Sequence, residues 1–385
     1  MSLRKALNTI VVKTVGSRCN LNCDYCFYLN KELKYSNEKL MADETLDEFI
    51  SQMMEQSGNS FGIVWQGGEP SLAGVAFFEK AIFLIQKYGE GKNKIISNML
   101  QTNGYYLSDE LIKLLSQYSF LVGLSLDGPE NIHNTYRKTR SGKDSWSEVI
   151  KTWGKLSRTG IACNILCCVT SLSASNPASI YNFYKNHQMS WLQYIPVMER
   201  NEKGEIMDFS VSPFQWGKFM CHIFDCWYQD YIQQNNAPNI RFIENAFQMH
   251  LGMESPECTF SENCGNYLVL EHNGDVFSCD YLVNHHTKLG NIHKSRLIEM
   301  LNSKQQSDFG AIKTQINTDC KNCKFLSYCH GGCPKYRNSA NQKYEFCESW
   351  KRFLEYSHDR LSKLANDFRK NNPDFQRTLD LSGYF

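Results

Sequence analysis

The sequence predicts an α/β protein, six strand–helix units in series forming a parallel sheet, followed by a cysteine-rich module. Three observations carry that expectation. From about residue 9 to 232, apolar strand-like runs alternate with amphipathic helical patterns. That succession gives parallel strands joined by right-handed crossovers. Residue types able to do chemistry fall just after predicted strands, where a barrel-like α/β fold collects its active site. Beyond Pro238 the alternation stops, and cysteines recur at short spacings among loops and glycines.

In chain order, strands are expected over 9–15, 61–65, 95–102, 120–126, 161–170 and 192–196. Helices are expected near 46–54, 77–88, 109–116, 147–157, 178–186 and 213–231, with Asp43 and Ser108 as N-caps. Such a series could close into a barrel or stay an open, doubly wound sheet. The site-like segments decide for the barrel: Cys19 to Cys26 after the first strand, Gln66-Gly67-Gly68-Glu69-Pro70 after the second, Thr102-Asn103-Gly104 after the third, and Ser125-Leu126-Asp127-Gly128 ending the fourth. The expected domains are a barrel over 1–237, a bridging region over 238–257, a cysteine-rich domain over 258–350 and a C-terminal helical tail over 351–385. That tail is helical over 351–366 and is expected to pack back on the barrel.

Composition narrows the function. Lys+Arg 41 against Asp+Glu 40 leaves a formal charge of +1, which argues against nucleic acid or an anionic membrane as the main partner. No run approaches the roughly eighteen apolar residues of a membrane span, and no signal peptide is expected. The 16 cysteines cluster at metal-type spacings in a long chain. Reduced cytoplasm and iron–sulfur ligation fit them better than a disulfide framework.

The stretch Cys19-Asn20-Leu21-Asn22-Cys23-Asp24-Tyr25-Cys26 is the most specific signal. A 4Fe–4S cube normally takes four cysteines, so three thiolates leave one iron open to a small molecule. A zinc knuckle would need a fourth N or S ligand, and the next cysteine is Cys163.

This spacing, with an aromatic residue before the third cysteine, resembles the signature of the radical S-adenosylmethionine (radical SAM) enzymes. The resemblance implies that the open iron binds the methionine moiety and that the cluster reductively cleaves it to a 5′-deoxyadenosyl radical. It implies a partial (β/α)6 radical SAM barrel. Gln66-Gly67-Gly68-Glu69 matches the segment that binds the methionine amino group, its paired glycines allowing close backbone approach. Ser125 and Arg137 match positions that hold the nucleoside and the methionine carboxylate, and a guanidinium fork suits a carboxylate. Read from its neighbours alone, Arg137 could equally be a surface arginine beside Lys138 and Arg140. Tyr28 matches the residue packed by the adenine; without the resemblance it is a core aromatic.

The second half is similar to the SPASM domain, which follows the barrel in peptide-modifying radical SAM enzymes and carries two auxiliary 4Fe–4S clusters. By that resemblance Cys258, Cys264, Cys279 and Cys333 hold one cluster, and Cys320, Cys323, Cys329 and Cys347 the other, three clusters in all with the first. Taken alone, Cys320-x2-Cys323 would also fit a zinc ribbon. Cys163, Cys167, Cys168, Cys221 and Cys226 are expected to be buried, inert thiols, and His285-His286 a surface pair.

Asp280 directly follows Cys279. The net negative charge of an all-thiolate cluster disfavours a neighbouring anion and so strengthens this carboxylate as a general base. The same Cys-Asp pair occurs in anaerobic sulfatase-maturating enzymes. Similarity to that family runs through Cys19–Tyr28, the 65–70 and 125–129 segments, the 164–170 strand, Trp227-Tyr228 and all eight SPASM cysteines. It implies oxidation of an active-site Cys or Ser of a sulfatase to Cα-formylglycine, with Asp280 as the base. It also implies an unfolded sulfatase segment as substrate and a flavodoxin- or ferredoxin-like electron donor. Two other readings stay open: a radical SAM/SPASM enzyme that crosslinks or epimerises another ribosomal peptide, and a non-catalytic metal-binding interaction protein.

Overall fold

The computed structural model describes residues 4–28, 40–338 and 340–373; residues 374–385 of the expected tail lie outside the described residues. In chain order the elements begin with β1 (Thr9–Lys13), α1 (Asp43–Gln56), β2 (Ser60–Gln66), α2 (Val75–Gly89), β3 (Ile95–Thr102), α3 (Asp109–Gln117) and β4 (Leu121–Ser125). Next come α4 (Glu130–Tyr136), α5 (Trp146–Thr159), β5 (Cys163–Val169), α6 (Ser171–Ala174), α7 (Pro177–Asn186), β6 (Trp191–Pro196), α8 (Pro213–Ile232), β7 (Asn239–Ile240) and α9 (Arg241–His250). The chain then runs through β8 (Leu268–Glu271), β9 (Asp275–Phe277), β10 (Lys288–Asn291), α10 (Leu297–Leu301), α11 (Lys304–Ala311), α12 (Thr318–Lys321), α13 (Leu326–Cys329) and α14 (Cys347–Asn371).

Packing gathers these elements into two units. One comprises 1–126, 130–166 and 265–310; the other comprises 127–129, 167–264 and 311–385. In the first unit the strand order is β10-β9-β8-β1-β2-β3-β4-β5. β1 through β5 pair in parallel, in the order the sequence predicts. The fold class is therefore the expected α/β one.

An unexpected strand extends this sheet. β8 pairs in parallel with the free side of β1, Ile10 opposite Leu268 and Lys13 opposite Glu271, and then folds back antiparallel through β9 and β10. The signal for it was present: Asn273-Gly274 between two apolar runs is a hairpin turn signature, and Gly274 has φ +85°.

Caps explain several boundaries. The Ser108 hydroxyl accepts a hydrogen bond from the Leu111 N–H at 3.2 Å, as expected for an N-cap. Asp43 is not a cap. Ala42 holds that position of α1, and Asp43 is the first helical residue, where its charge suits the helix dipole. α8 starts on a capping box: Ser212 Oγ accepts from Gln215 N at 3.2 Å, and Gln215 Oε1 accepts from Ser212 N at 3.0 Å.

In the second unit, β6 pairs in parallel with β7. The expected C-terminal helix is α14, and it packs on α8. Phe353 meets Phe224 and Phe242 edge-on, with centroids 5.9 and 5.1 Å apart. A Cβ on Gly217 would come within 3.1 Å of the Ser349 Cα, so the crossing is close.

The core of the first unit centres on Trp65, fully buried in β2 and ringed edge-on by Phe49, Phe77 and Phe78 at 5.8–6.1 Å. Its indole N–H donates to Asn98 Oδ1 at 3.0 Å, so no buried donor is left open. Trp65→Ala should cost about 3–5 kcal/mol, measured as a lowered urea midpoint. A loss under about 1 kcal/mol would mean that the surrounding rings collapse into the space.

Candidate functional site

The loop from Cys19 to Cys26 has little regular structure of its own, and neighbouring segments hold it. Its only internal backbone turn among the described residues is Cys26 N–H to the Cys23 carbonyl at 3.0 Å. On one side, Asn22 N–H donates to Lys138 O at 2.8 Å, Asp24 N–H to Tyr136 O at 3.1 Å, and Arg140 Nε to Cys19 O at 2.8 Å. On the other, Asn20 Nδ2 donates to Tyr105 O at 2.9 Å.

Gly67 and Gly68 lie against the segment leading into this loop. Gly68 N–H donates to Gly16 O at 2.7 Å, and Glu69 N–H to Arg18 O at 2.8 Å. A Cβ on Gly68 would overlap the Arg18 carbonyl outright. Gly67 has φ +137° and would place its Cβ 3.0 Å from Gly16 O. Close approach requires glycine at 68; both conformation and approach require it at 67. Gln66 ends β2 opposite Lys13.

Glu69 is fully buried and directs its carboxylate into the protein. Oε1 accepts from Thr102 Oγ1 at 2.7 Å and Ser71 N at 3.1 Å; Oε2 accepts from Asn103 N at 2.7 Å. Burial raises its pKa above the usual carboxylate value, and these donors oppose the rise. Held in this way, Asn103 places its Nδ2 3.4 Å from Cys19 Sγ and 2.8 Å from Asn20 Oδ1. Burial first, and the Glu69 carboxylate second, push the Cys19 thiol up to about 11.

Arg137 is buried, not at the surface: its Nη1 lies 4.0 Å from Cys23 Sγ, and its Cζ 5.4 Å from the Tyr25 ring centroid. Ser125 ends β4 and accepts from Gln101 Nε2 at 3.2 Å. Tyr28 is buried, and its hydroxyl donates to Glu271 Oε1. Asp280 Oδ1 accepts from the Tyr267 hydroxyl at 2.8 Å, and that hydroxyl also lies 3.7 Å from Cys279 Sγ. Burial, then Asp280, push the Cys279 thiol up to about 11.

Sequence reasoning missed Lys13, which links these groups. It ends β1 with 1% exposure, its ammonium 4.8 Å from the Tyr28 ring centroid. Burial lowers its pKa, and Asp280, Glu271, Cys26 and Cys279 oppose that shift. The first unit therefore brings the Cys19–Cys26 loop and the Cys279-Asp280 pair to one buried cation. The available signal was a lysine closing an otherwise apolar strand just before the cysteines. Glu271, which ends β8, and Tyr267, just before that strand, were missed as well, because the strand was not predicted.

In the second unit, Cys320, Cys323, Cys329 and Cys347 line one pocket with Phe325, Leu326 and Trp350. Burial pushes the Cys329 thiol up to about 11; the Gly331 N–H opposes this, and Cys347, Cys320 and Cys323 add to it. Cys258, Cys264 and Cys333 all act on the buried ammonium of Lys313. Among the described residues no two cysteines form a disulfide. Among the described residues no three His, Cys or acidic side chains form a preassembled single-metal chelate. The set formed by Cys320, Cys323, Cys329 and Cys347 fits a larger, sulfur-ligated group, four thiols lining one pocket for a cube that takes four. Of the five remaining thiols, expected to be buried, only Cys167 is; Cys163, Cys168, Cys221 and Cys226 are partly exposed, with burial pushing Cys163 up to about 12 and Cys221 to about 11. His285 and His286 are exposed, as expected.

The chain is similar to known proteins over most of its length. The Radical SAM superfamily profile matches residues 14–178, and that of the iron-sulfur cluster-binding SPASM domain matches 258–324. The chain is 37% identical over 349 residues to the serine-type anaerobic sulfatase-maturating enzyme of Bacteroides thetaiotaomicron, covering 86% of this chain and 83% of that protein. It is 34% identical over 369 residues to the cysteine-type enzyme of Clostridium perfringens, covering 94% and 99%. Native anSMEcpe with bound AdoMet and Cp18Cys peptide superposes with a TM-score of 0.87 at 34% identity, over 94% of this chain and 99% of that one.

Adding a methyl group at Gly68 should displace the Arg18 carbonyl and the loop behind it. Gly68→Ala should contain about four fewer irons per chain than wild type after anaerobic reconstitution, with unchanged far-UV circular dichroism. Gly58→Ala, where a Cβ meets nothing within 4 Å, is the control and should load fully. Full iron in Gly68→Ala would show that the loop tolerates the displacement.

Proposed function

The chain belongs to the anaerobic sulfatase-maturating enzymes of the radical SAM superfamily, and on that premise we propose that it oxidises a Cys or Ser of a sulfatase polypeptide to Cα-formylglycine. The observation that carries this reading is the placing of Asp280, held at Oδ1 by the Tyr267 hydroxyl that also lies 3.7 Å from Cys279 Sγ.

When bound, S-adenosylmethionine on a 4Fe–4S cluster supplies a 5′-deoxyadenosyl radical that takes a hydrogen atom from carbon, and further clusters accept an electron. The chain provides the holding, orientation and proton acceptance. Cys19, Cys23 and Cys26 are the proposed ligands of the first cluster. Gln66, Gly67, Gly68 and Glu69 form the methionine-binding segment; the buried Glu69 carboxylate shapes it and leaves backbone polar groups to meet the ligand. Ser125, Arg137 and Tyr28 hold the nucleoside, the carboxylate and the adenine side. Cys258, Cys264, Cys279 and Cys333 are the proposed ligands of one auxiliary cluster, and Cys320, Cys323, Cys329 and Cys347 of the other, which makes three clusters.

Asp280 accepts the proton from the substrate thiol or hydroxyl. Loss of that proton, of a Cβ hydrogen atom and of one further electron leaves a thioaldehyde, which water hydrolyses, or an aldehyde directly. Tyr267 donates to Oδ1 and so fixes the orientation of this carboxylate. The substrate segment must be extended, because the hydrogen atom and proton leave from adjacent atoms inside a confined site. The proposed donor is flavodoxin- or ferredoxin-like, and the proposed setting is the cytoplasm. Among the described residues no helix is long and apolar enough to cross a membrane.

The joint Cys19, Cys23 and Cys26→Ala variant should lose one cluster, keep two, and lose reductive cleavage of S-adenosylmethionine. Release of 5′-deoxyadenosine at the parent rate would move the radical chemistry to other cysteines.

Asp280→Asn separates the two halves of the oxidation. It should retain all clusters and still release 5′-deoxyadenosine, yet form formylglycine about 10²–10⁴-fold more slowly, read by mass spectrometry of a sulfatase-motif peptide. Formylglycine at the wild-type rate would make Asp280 a turn residue. Wild-type protein that cleaves S-adenosylmethionine but modifies no Cys- or Ser-type sulfatase peptide would favour another peptide substrate.

A further inference from the structure

Two cations stand among the cysteines of the second unit, and the reaction proposed above uses neither. Lys313 lies in the short turn Ile312–Thr314 with 0% exposure. Its ammonium donates to the carbonyls of Cys258 at 2.6 Å and Thr259 at 2.9 Å. Two carbonyl dipoles offset only part of the cost of burying a full charge, so an anion nearby is needed to hold it. Burial lowers the pKa of Lys313, and the attraction of Cys264, Cys258 and Cys333 opposes that shift.

Arg337 is more firmly fixed. Its Nε donates to Gly331 O at 3.0 Å, its Nη1 to Gln315 O at 2.9 Å and Ile312 O at 3.3 Å, and its Nη2 to Lys313 O at 2.8 Å and Gly332 O at 3.4 Å. All of these acceptors are backbone carbonyls, so the guanidinium is locked in place without being neutralised. Burial lowers its pKa too, and here the opposing thiols are Cys264, Cys320, Cys333 and Cys329. Cys264 and Cys333 belong to one proposed ligand set, Cys320 and Cys329 to the other. Lys313 is bonded to the backbone of Cys258, in one set, whereas Arg337 is bonded to Gly331 and Gly332, between Cys329 of one set and Cys333 of the other.

We propose that Lys313 and Arg337 set the reduction potentials of the two auxiliary clusters, Lys313 raising the one whose ligands include Cys258, Cys264 and Cys333, and Arg337 raising both. The proposal rests on the ligand assignment given above. Reduction adds one negative charge to a group that four thiolates already make anionic. A fixed cation in a low-dielectric surrounding stabilises the reduced form more than the oxidised one. Lys313 thus widens the gap between the two couples, and Arg337 lifts them together. Both are positioning residues, and neither is asked to touch substrate.

The test is an EPR-monitored redox titration of the full-length, anaerobically reconstituted protein, with dithionite supplying one electron per cluster. Iron content and cluster signals are counted first. If the wild type lacks the auxiliary clusters, the cluster reading fails, separately from this inference. In Lys313→Met, one auxiliary couple should move to lower potential by at least tenfold in its reduction equilibrium, about 59 mV for one electron, while the other stays in place. In Arg337→Gln both should move down, and the couple assigned to the Cys19–Cys26 cluster should not. Arg337→Lys and Lys313→Arg, which alter packing but keep the charge, should leave the couples near their wild-type positions. Couples are read on the loaded fraction, so partial iron loss does not mask a shift. Unmoved couples in both neutral variants, equal shifts in the charge-keeping variants, or complete loss of iron from both neutral variants would overturn the proposal.

Discussion

The constraint on which the site depends is the close approach of Gly68 to the carbonyl of Arg18, locked by the buried carboxylate of Glu69. The Cys19–Cys26 loop cannot shape itself, since one internal turn is all its own backbone supplies among the described residues. Its geometry is imposed by the segments after β2 and β3, and Glu69 ties those two segments together through Thr102 and Asn103. A carboxylate without solvent is tolerable only when donors surround it. Here two backbone N–H groups and one hydroxyl do so, at 2.7–3.1 Å. Glu69 is thus a structural anion whose work is done through Asn103 on Cys19.

Charge is the second theme. Partial burial disfavours ionisation of the thiols, and Cys19, Cys279 and Cys329 are all pushed to about 11. Each set of them has a buried or half-buried cation nearby: Lys13 for the first unit, Lys313 and Arg337 for the second. These cations have burial working against them, and cysteine sulfur working for them. The arrangement is one of mutual support between ligand sulfurs and protein cations.

How legible this was depended on distance along the chain. The cysteine triad, Gly67-Gly68-Glu69 and the Cys279-Asp280 pair are local spacings, and they could be read directly. So could the succession of β1 to β5, since βα repetition is periodic over short windows. What joins the pieces was not legible. That Glu69 reaches Asn103, that Arg137 turns inward to Cys23, and that Lys13 lies opposite Glu271 are all non-local facts. Arg137 shows this most clearly, since its basic neighbours in sequence, Lys138 and Arg140, gave no reason to bury it. β8 was overlooked because its short apolar run sits among cysteines and turns, although its Asn273-Gly274 turn was a usable signal. Asp43 failed as a cap because a helix N-terminus is set by backbone geometry, and an acidic residue serves the dipole equally well one position further on.

The pairing of β8 with β1 bears on how the protein is made. Ile10 lies beside Leu268, so the first strand waits through most of synthesis for its second neighbour. Long-range parallel pairing is slow to form, because loop closure must come before any contact rewards it. The three-cysteine loop leaves the ribosome early and can be shaped early by β2 and β3. The aspartate that shares Lys13 with it arrives only when β8 and β9 dock. A nascent chain can therefore hold a formed cysteine loop well before it holds the proposed base. On the proposed roles, the late strand acts as the step that completes the enzyme.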